Sequence, residues 1–157
     1  MTRYTVNNWD SYLSIPLYVT ALTVTANSCN EDSINVIDLS SFKFLRSVVI
    51  GNSCFKYVRI FSIVGLNWLE SVSIGTYSFG SDGSLWEGSE LKIVNCPQLK
   101  SLSIGGCSFF RHNGFELSEL PQLKSVTIKS CGGWVQSCFY NTRNAVFRGM
   151  NDERDGL

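Results

Sequence analysis

A mainly β solenoid assembled from stacked repeats is the fold this sequence predicts, and three observations predict it. The first is self-similarity. Val19-Thr-Ala-Leu22-Thr-Val24, Leu45-Arg-Ser-Val48-Val-Ile50, Leu69-Glu-Ser-Val72-Ser-Ile74, Leu99-Lys-Ser-Leu102-Ser-Ile104 and Leu123-Lys-Ser-Val126-Thr-Ile128 align residue for residue. Their starts are 26, 24, 30 and 24 residues apart, within the periods of stacked repeat proteins. The second is alternation: offsets 2 to 5 from each leading residue run polar, apolar, polar, apolar, the period of a strand with one buried face. Ser71-Val72-Ser73-Ile74 and Ser101-Leu102-Ser103-Ile104 are the clearest cases. The third is punctuation, with Gly51, Gly75 and Gly105 directly after the alternating stretch, where the chain leaves the strand.

Residues 1–18 form an N-terminal lead-in or partial repeat, and the repeats run over residues 19–139. Each unit is apolar at offsets 0, 3 and 5, and offset 10 holds Cys29, Phe55, Phe79 and Phe109. A single unit cannot bury such a face alone, so the units stack into an inner parallel sheet of about five strands. A second apolar group follows in each unit: Ile37, Leu39 and Phe42; Phe61, Ile63 and Leu66; Leu91, Ile93 and Cys96; Phe115, Leu117 and Leu120. The second and fourth units reach it at identical offsets, the first after two extra residues and the third after six. This group alternates at its start and leaves too little chain for a long helix. The outer side is therefore expected to hold short extended or 3₁₀ segments, with few or no long helices. Pro97 and Pro121 stand two residues before the next leading Leu, outside the ladder, where a missing N–H does no harm. The fifth unit has Gly132, Gly133 and Trp134 where a Phe is due, and no later apolar pair is found beyond Phe139. Residues 140–157 are either a C-terminal cap with a polar outer face or a truncated next segment of a longer repeat protein. Leu157, where apolar residues resume, favours the latter.

The stretch Leu99-x-x-Leu102-x-Ile104-x-x-Cys107-x-Phe109 resembles the core signature of leucine-rich repeats, whose ladder position holds Asn or Cys. Ile74-Gly75-x-x-Ser78-Phe79 is similar to the Phe-containing repeats abundant in single-celled eukaryotes and some bacteria. The resemblance covers residues 19–139 and implies a fold more than a partner. Ser53 and Tyr77 at the ladder position cannot reproduce an Asn ladder, and with the lengthened third repeat they imply irregular curvature.

Charge argues against several classes of function. Thirteen basic residues balance thirteen acidic ones without a long run of either sign, so no nucleic-acid partner is expected. No membrane insertion is expected either, because Ile15 to Val24, the longest apolar candidate, is interrupted by Pro16, Tyr18, Thr20 and Thr23. The first ten residues lack the apolar core of a signal peptide. Three of the six cysteines sit on positions that other units fill with other residues, Cys29 where they carry Phe and Cys107 and Cys131 where they carry Asn, Ser or Tyr, so they behave as packing material. Cys107 and Cys131 are expected to stack in adjacent coils as ladder residues, and no Asn-x-Ser/Thr sequon occurs. Free thiols and a cytoplasmic location follow, or an extracellular one if an upstream signal peptide precedes this chain.

No reactive cluster stands out. His112, in Phe-Phe-Arg-His-Asn-Gly, is expected to be a solvated loop residue without a triad or metal partner. Cys131 and Cys138 lack the two further ligands that a zinc site needs. No enzyme, catalytic residue, metal or cofactor is therefore expected. The candidate surface is the outward face of the inner sheet, with columns containing Ser47, Ser71, Ser101 and Ser125, and Val49, Ser73, Ser103 and Thr127. Flanking them stand Arg46, Glu70, Lys100 and Lys124, and Trp86 lies in the insertion of the third unit. Insertions in repeat proteins often map to a binding face. The expected function is a non-enzymatic protein-interaction scaffold with a protein partner. The alternative is a cell-surface or glycan-binding repeat protein. An ice-binding array is disfavoured because Gly, Val and Ser break any regular Thr grid.

Overall fold

The computed structural model describes residues 1–80, 86–109, 112–129 and 144–150. The protein is mainly β, with two parallel sheets and no long helix among the described residues. The first sheet contains β1 (Arg3–Val6), β2 (Ala21–Val24), β4 (Ser47–Ile50), β6 (Ser71–Ile74), β8 (Ser101–Ile104) and β10 (Ser125–Ile128), in that order. The second contains β3 (Val36–Asp38), β5 (Ile60–Val64), β7 (Trp86–Val94), β9 (His112–Leu120) and β11 (Asn144–Met150), each beside the next. Strands of the two sheets alternate along the chain, so each unit gives one strand to each.

Two expectations about the architecture change. The first sheet has six strands rather than about five, because β1 pairs in register with β2, Arg3 opposite Ala21 and Val6 opposite Val24. The second side is extended, as expected, but its segments join into a five-stranded parallel sheet and reach nine residues in β7 and β9 rather than staying short, and no 3₁₀ segment occurs among the described residues. The cause is visible in the sequence groups: Phe61, Ile63, Leu91, Ile93, Phe115 and Leu117 stack in register on the side facing the core. The apolar pair sought beyond Phe139 is also present. In β11, Ala145 pairs with Phe115 and Phe147 with Leu117, six residues later than the spacing of the second and fourth units, the same delay as in the third.

The core fills the space between the sheets. Val48, Val72 and Leu102 are 1% exposed, while Ser47, Ser71 and Ser101 on the other face are half-buried. At one end a column of rings closes the core. Phe55 and Phe79 stack at 5.2 Å between centroids, Phe79 and Phe109 at 4.6 Å, and Phe61 meets Phe79 edge-on at 4.6 Å. In the first unit, where Cys29 replaces the ring, Tyr12 packs edge-on against Phe55. Tyr12 comes from a short helix, α1 (Trp9–Leu13), held by a capping box: Asn8 Oδ1 accepts from Ser11 N–H at 2.8 Å, and Ser11 Oγ accepts from Asn8 N–H at 3.1 Å.

The corner between the sheets is built identically in four units. Offsets 8 and 10 are left-handed throughout, from Asn27 (φ 61°) and Cys29 (φ 60°) to Cys107 (φ 62°) and Phe109 (φ 56°). Between them, offset 9 carries the buried polar ladder. Ser78 Oγ accepts from Cys54 N–H and donates to Gly51 O at 3.0 Å, and Ser108 Oγ accepts from Ser78 N–H and donates to Gly75 O at 2.7 Å. The ladder therefore sits one residue after the position the sequence suggested. Ser53 and Tyr77, which could not have formed it, have no such duty. The glycine before this corner serves close approach rather than unusual dihedrals: a Cβ on Gly105 would lie 2.5 Å from the Gly75 carbonyl carbon.

Candidate functional site

The outward face of the first sheet is the broadest surface that successive units share. Registry places Ser47, Ser71, Ser101 and Ser125 side by side, and Val49, Ser73, Ser103 and Thr127 in a parallel column. Val49, Ser73 and Thr127 are exposed, and Ser103 is half-buried. Arg46, Glu70, Lys100 and Lys124 form the next column, each N–H bonded to the carbonyl of its predecessor: Glu70 to Arg46 at 2.7 Å, Lys100 to Glu70 at 2.9 Å and Lys124 to Lys100 at 2.9 Å. The backbone thus brings all twelve of these candidates onto one face. Trp86 is separate: it opens β7 in the second sheet, and its side chain lies outside the described residues.

A further column escaped the sequence reading. The residue before each leading position is Tyr18, Phe44 and Trp68 in the first three units, and these side chains are 64%, 55% and 51% exposed. The equivalent residues in the next two units are Gln98 and Gln122. The signal was available, since three aromatics share one offset, but alternation draws attention to the strand and not to the residue before it. Arg46 bridges this column and the face, its guanidinium carbon 5.8 Å from the Trp68 ring centroid. Thr20, Phe44, Arg46 and Trp68 enclose a notch of about 250 Å³. Beside it, a trough of about 510 Å³ runs over the outward side of β1, β2 and β4, with Arg3, Thr5, Thr23, Arg46 and Ser47 among its walls and no acidic residue in its lining.

The titratable groups of the interior behave differently from expectation. His112 is not a solvated loop residue. It opens β9, is fully buried, and meets Phe109 edge-on at 5.0 Å. It lies ahead of the register slip between β7 and β9, out of step with the core-facing Phe115 and Leu117, and burial pushes its imidazole down to about 3, so it is neutral at ordinary pH. The expectation of six free thiols fails at Cys107, which is disulfide-bonded. The expectation that Cys107 and Cys131 stack as ladder residues concerns Cys131, which lies outside the described residues. Cys29, Cys54 and Cys96 are free and buried. Burial first, then Glu31 and Cys54, pushes the Cys29 thiol up to about 12, and burial raises Cys54 and Cys96 as well. Such thiols stay protonated and are poor nucleophiles and poor metal ligands. Among the described residues no cluster of three or more His, Cys, Asp or Glu could hold a metal ion, and no helix is long and apolar enough to cross a membrane.

Comparison of the chain with protein-family models, curated proteins and solved structures returns no match.

Proposed function

We propose that this chain is a solenoid of leucine-rich repeat type and acts as a non-enzymatic protein-interaction scaffold, docking a protein partner on the outward face of its first sheet. The observation that carries the proposal is the continuity of that face. Six strands pair without a register shift, and their small outward side chains leave the backbone approachable beside a rim of exposed aromatic and charged residues. Trp, Tyr and Arg are the side chains that most often supply binding energy at interfaces, and Tyr18, Arg46 and Trp68 stand together on that rim. The strand-then-corner repeat, with its buried ladder running from unit to unit, supports the solenoid of leucine-rich repeat type. The protonated state of the three free thiols and the neutral burial of His112 support a non-enzymatic role, because none is poised as nucleophile or base.

A cell-surface or glycan-binding protein is the second reading. The disulfide at Cys107 favours it, since such bonds persist chiefly in oxidising compartments.

The test is to select peptides from a random display library on the folded protein and to map where they bind. Ser71→Arg and Ser101→Arg, which fill the face, are expected to abolish binding of the selected peptides, while Ser62→Arg on the second sheet leaves it intact. Peptides insensitive to both face substitutions but lost with Ser62→Arg reject this face. A glycan array bound in place of peptides supports the second reading.

A further inference from the structure

The notch and the trough meet at Thr20 and Arg46, which line both. One is apolar in character, walled by Phe44 and Trp68. The other is hydroxyl-rich and bounded by two guanidinium groups, those of Arg3 and Arg46. We propose that this junction is the anchoring point of an acidic polypeptide segment, with one apolar or aromatic side chain seated between Phe44 and Trp68 and flanking carboxylates held by Arg46 and Arg3. The inference rests on the docking role of the face and names the chemistry of its partner.

Charge complementarity selects this occupant. The trough lining contains two arginines and no carboxylate, in a chain whose total charge is balanced, so positive potential is concentrated at one end of the face. The nearest acid in the flanking column, Glu70, stands on the far side of Arg46 from Arg3, one strand further along. Arginine presents a planar fork that matches a carboxylate in two-point contact. The Arg46 guanidinium is already oriented by lying over Trp68, which lowers the entropy lost when a ligand engages it. Thr5, Thr23 and Ser47 on the trough floor carry hydroxyls that can donate to peptide carbonyls or carboxylates and accept from peptide N–H. The notch accounts for specificity beyond charge. A rim aromatic pair such as Phe44 and Trp68 is exposed in the free protein, and covering it with an apolar side chain supplies the hydrophobic part of the binding energy.

The extent of the junction also limits the ligand. Beyond Trp68 the aromatic column ends in Gln98 and Gln122, and the flanking column turns to Lys100 and Lys124. The anchoring therefore belongs to the end of the face formed by β1, β2, β4 and β6, and the remaining units extend the contact without a second apolar seat.

The experiment titrates the whole folded chain with a short fluorescent peptide, Gly-Asp-Glu-Trp-Asp-Glu-Gly, followed by fluorescence anisotropy. Its neutral Asn/Gln analogue, a lysine-swapped analogue and a sulfated oligosaccharide are titrated in parallel. The expected result is saturable binding of the acidic peptide that weakens about tenfold or more in Trp68→Ala and in Arg46→Gln, weakens with added salt, and is unchanged in Lys92→Ala on β7 of the second sheet. An Arg3→Glu, Arg46→Glu double variant should lose the acidic peptide and gain the lysine-swapped one, a reversal that misfolding cannot produce. Equal binding of the neutral analogue, indifference to Arg46→Gln, or no saturation of the acidic peptide overturns the acidic class. So does Arg46-dependent binding of the oligosaccharide alone, which points to an anionic glycan. If the neutral analogue still binds and Ser101→Arg abolishes it, the docking face stands and only its preferred chemistry falls. Binding of all peptides that is indifferent to Ser101→Arg overturns both.

Discussion

The two sheets are built from the same repeats yet follow different rules. In the first, the five strands from β2 to β10 are each four residues long and pair without a shift. In the second, strand length runs from three residues in β3 to nine in β7 and β9, and the pairing of β7 with β9 slips between Trp86 and Glu90. Variation in repeat length is absorbed wholly by the second sheet and its approaches. The reason lies at the corner that follows each first-sheet strand. There a ladder serine, two left-handed residues and a stacked ring must all meet their counterparts in the next unit, and a glycine leaves no room for a side chain between turns. The second sheet asks only that alternate residues face the core. Constancy on one side is what gives neighbouring units a common outward face.

The harshest test of this contrast is an insertion. Two residues, Gly-Ser, placed between Thr76 and Tyr77 would move Ser78 and Phe79 out of step with Ser108 and Phe109. Loss of a buried Phe alone is worth about 3–5 kcal/mol, a large part of the roughly 5–15 kcal/mol of net stability of a domain. Calorimetry should show no cooperative melting. The same insertion between Glu87 and Gly88, inside the bulge where β7 already carries extra residues against β9, should lower Tm by only a few degrees, since a bulge leaves its extra residues outside the ladder. Equal damage at both places would erase the distinction between the sheets.

Acid should attack the second sheet first. The buried His112 binds a proton in the unfolded chain near pH 6.5 and in the folded protein only at about 3. The folded-state value is depressed, so the unfolded state takes up more protons in between. The associated stability is intact above about pH 6.5 and is lost as pH falls toward 3, at up to about 1.4 kcal/mol per pH unit. Denaturant titrations across this range should show that slope, flattened in His112→Phe. Hydrogen exchange at pH 4 should open β9 before β8. A slope that survives His112→Phe would assign the acid sensitivity elsewhere.

A subtler comparison sets two serines side by side. Ser108→Ala strands the buried Ser78 N–H and removes the bond to Gly75 O, a loss of about 1–3 kcal/mol in unfolding free energy. Ser118 Oγ, in the second sheet, donates only to Glu116 Oε2 two residues away, so Ser118→Ala should fall within about 1 kcal/mol of the parent. The reverse ranking would place the critical ladder in the wrong sheet. The smallest effect is expected on the outward face itself. Ser73→Asp should stay within about 0.5 kcal/mol, whereas Val72→Asp, one residue away on the same strand, buries an unpaired carboxylate and should unfold the protein.

The first sheet was legible because its signal is local. Alternation at Ser71-Val72-Ser73-Ile74 and the repeat period together specify strand, register and face, and the twelve face residues land where the pattern puts them. The second sheet was read as fragments because its strands begin at different offsets, and the delay before Ala145 and Phe147 hid the fifth unit's contribution. The ladder was misplaced by one residue because the familiar signature marks offset 8, while the backbone here turns offset 9 inward between two left-handed residues. His112 was misjudged for a related reason: a polar residue among Phe, Arg and Asn looks like a loop until β9 is known to extend through it. The aromatic column and Arg3 were missed because neither belongs to the alternating stretch, and their meeting at Arg46 exists only once β1 joins the sheet.

The paired left-handed residues bear on how this protein could be engineered. Across Asn27, Cys29, Ser53, Phe55, Tyr77, Phe79, Cys107 and Phe109, φ lies between 56° and 62°, a region that disfavours side chains by about 1–2 kcal/mol per residue. The offset 10 positions cannot be relieved, because the rings of Phe55, Phe79 and Phe109 fill the core. Tyr77 is different, since its side chain is 46% exposed and its strained backbone holds no place in the ring column. Glycine there relieves the strain at the expense of about 0.5–1 kcal/mol of extra freedom in the unfolded chain. The corner thus divides the strained positions into those whose side chains fill the interior and those whose side chains face outward, and the second kind is where a designer can trade strain for thermostability.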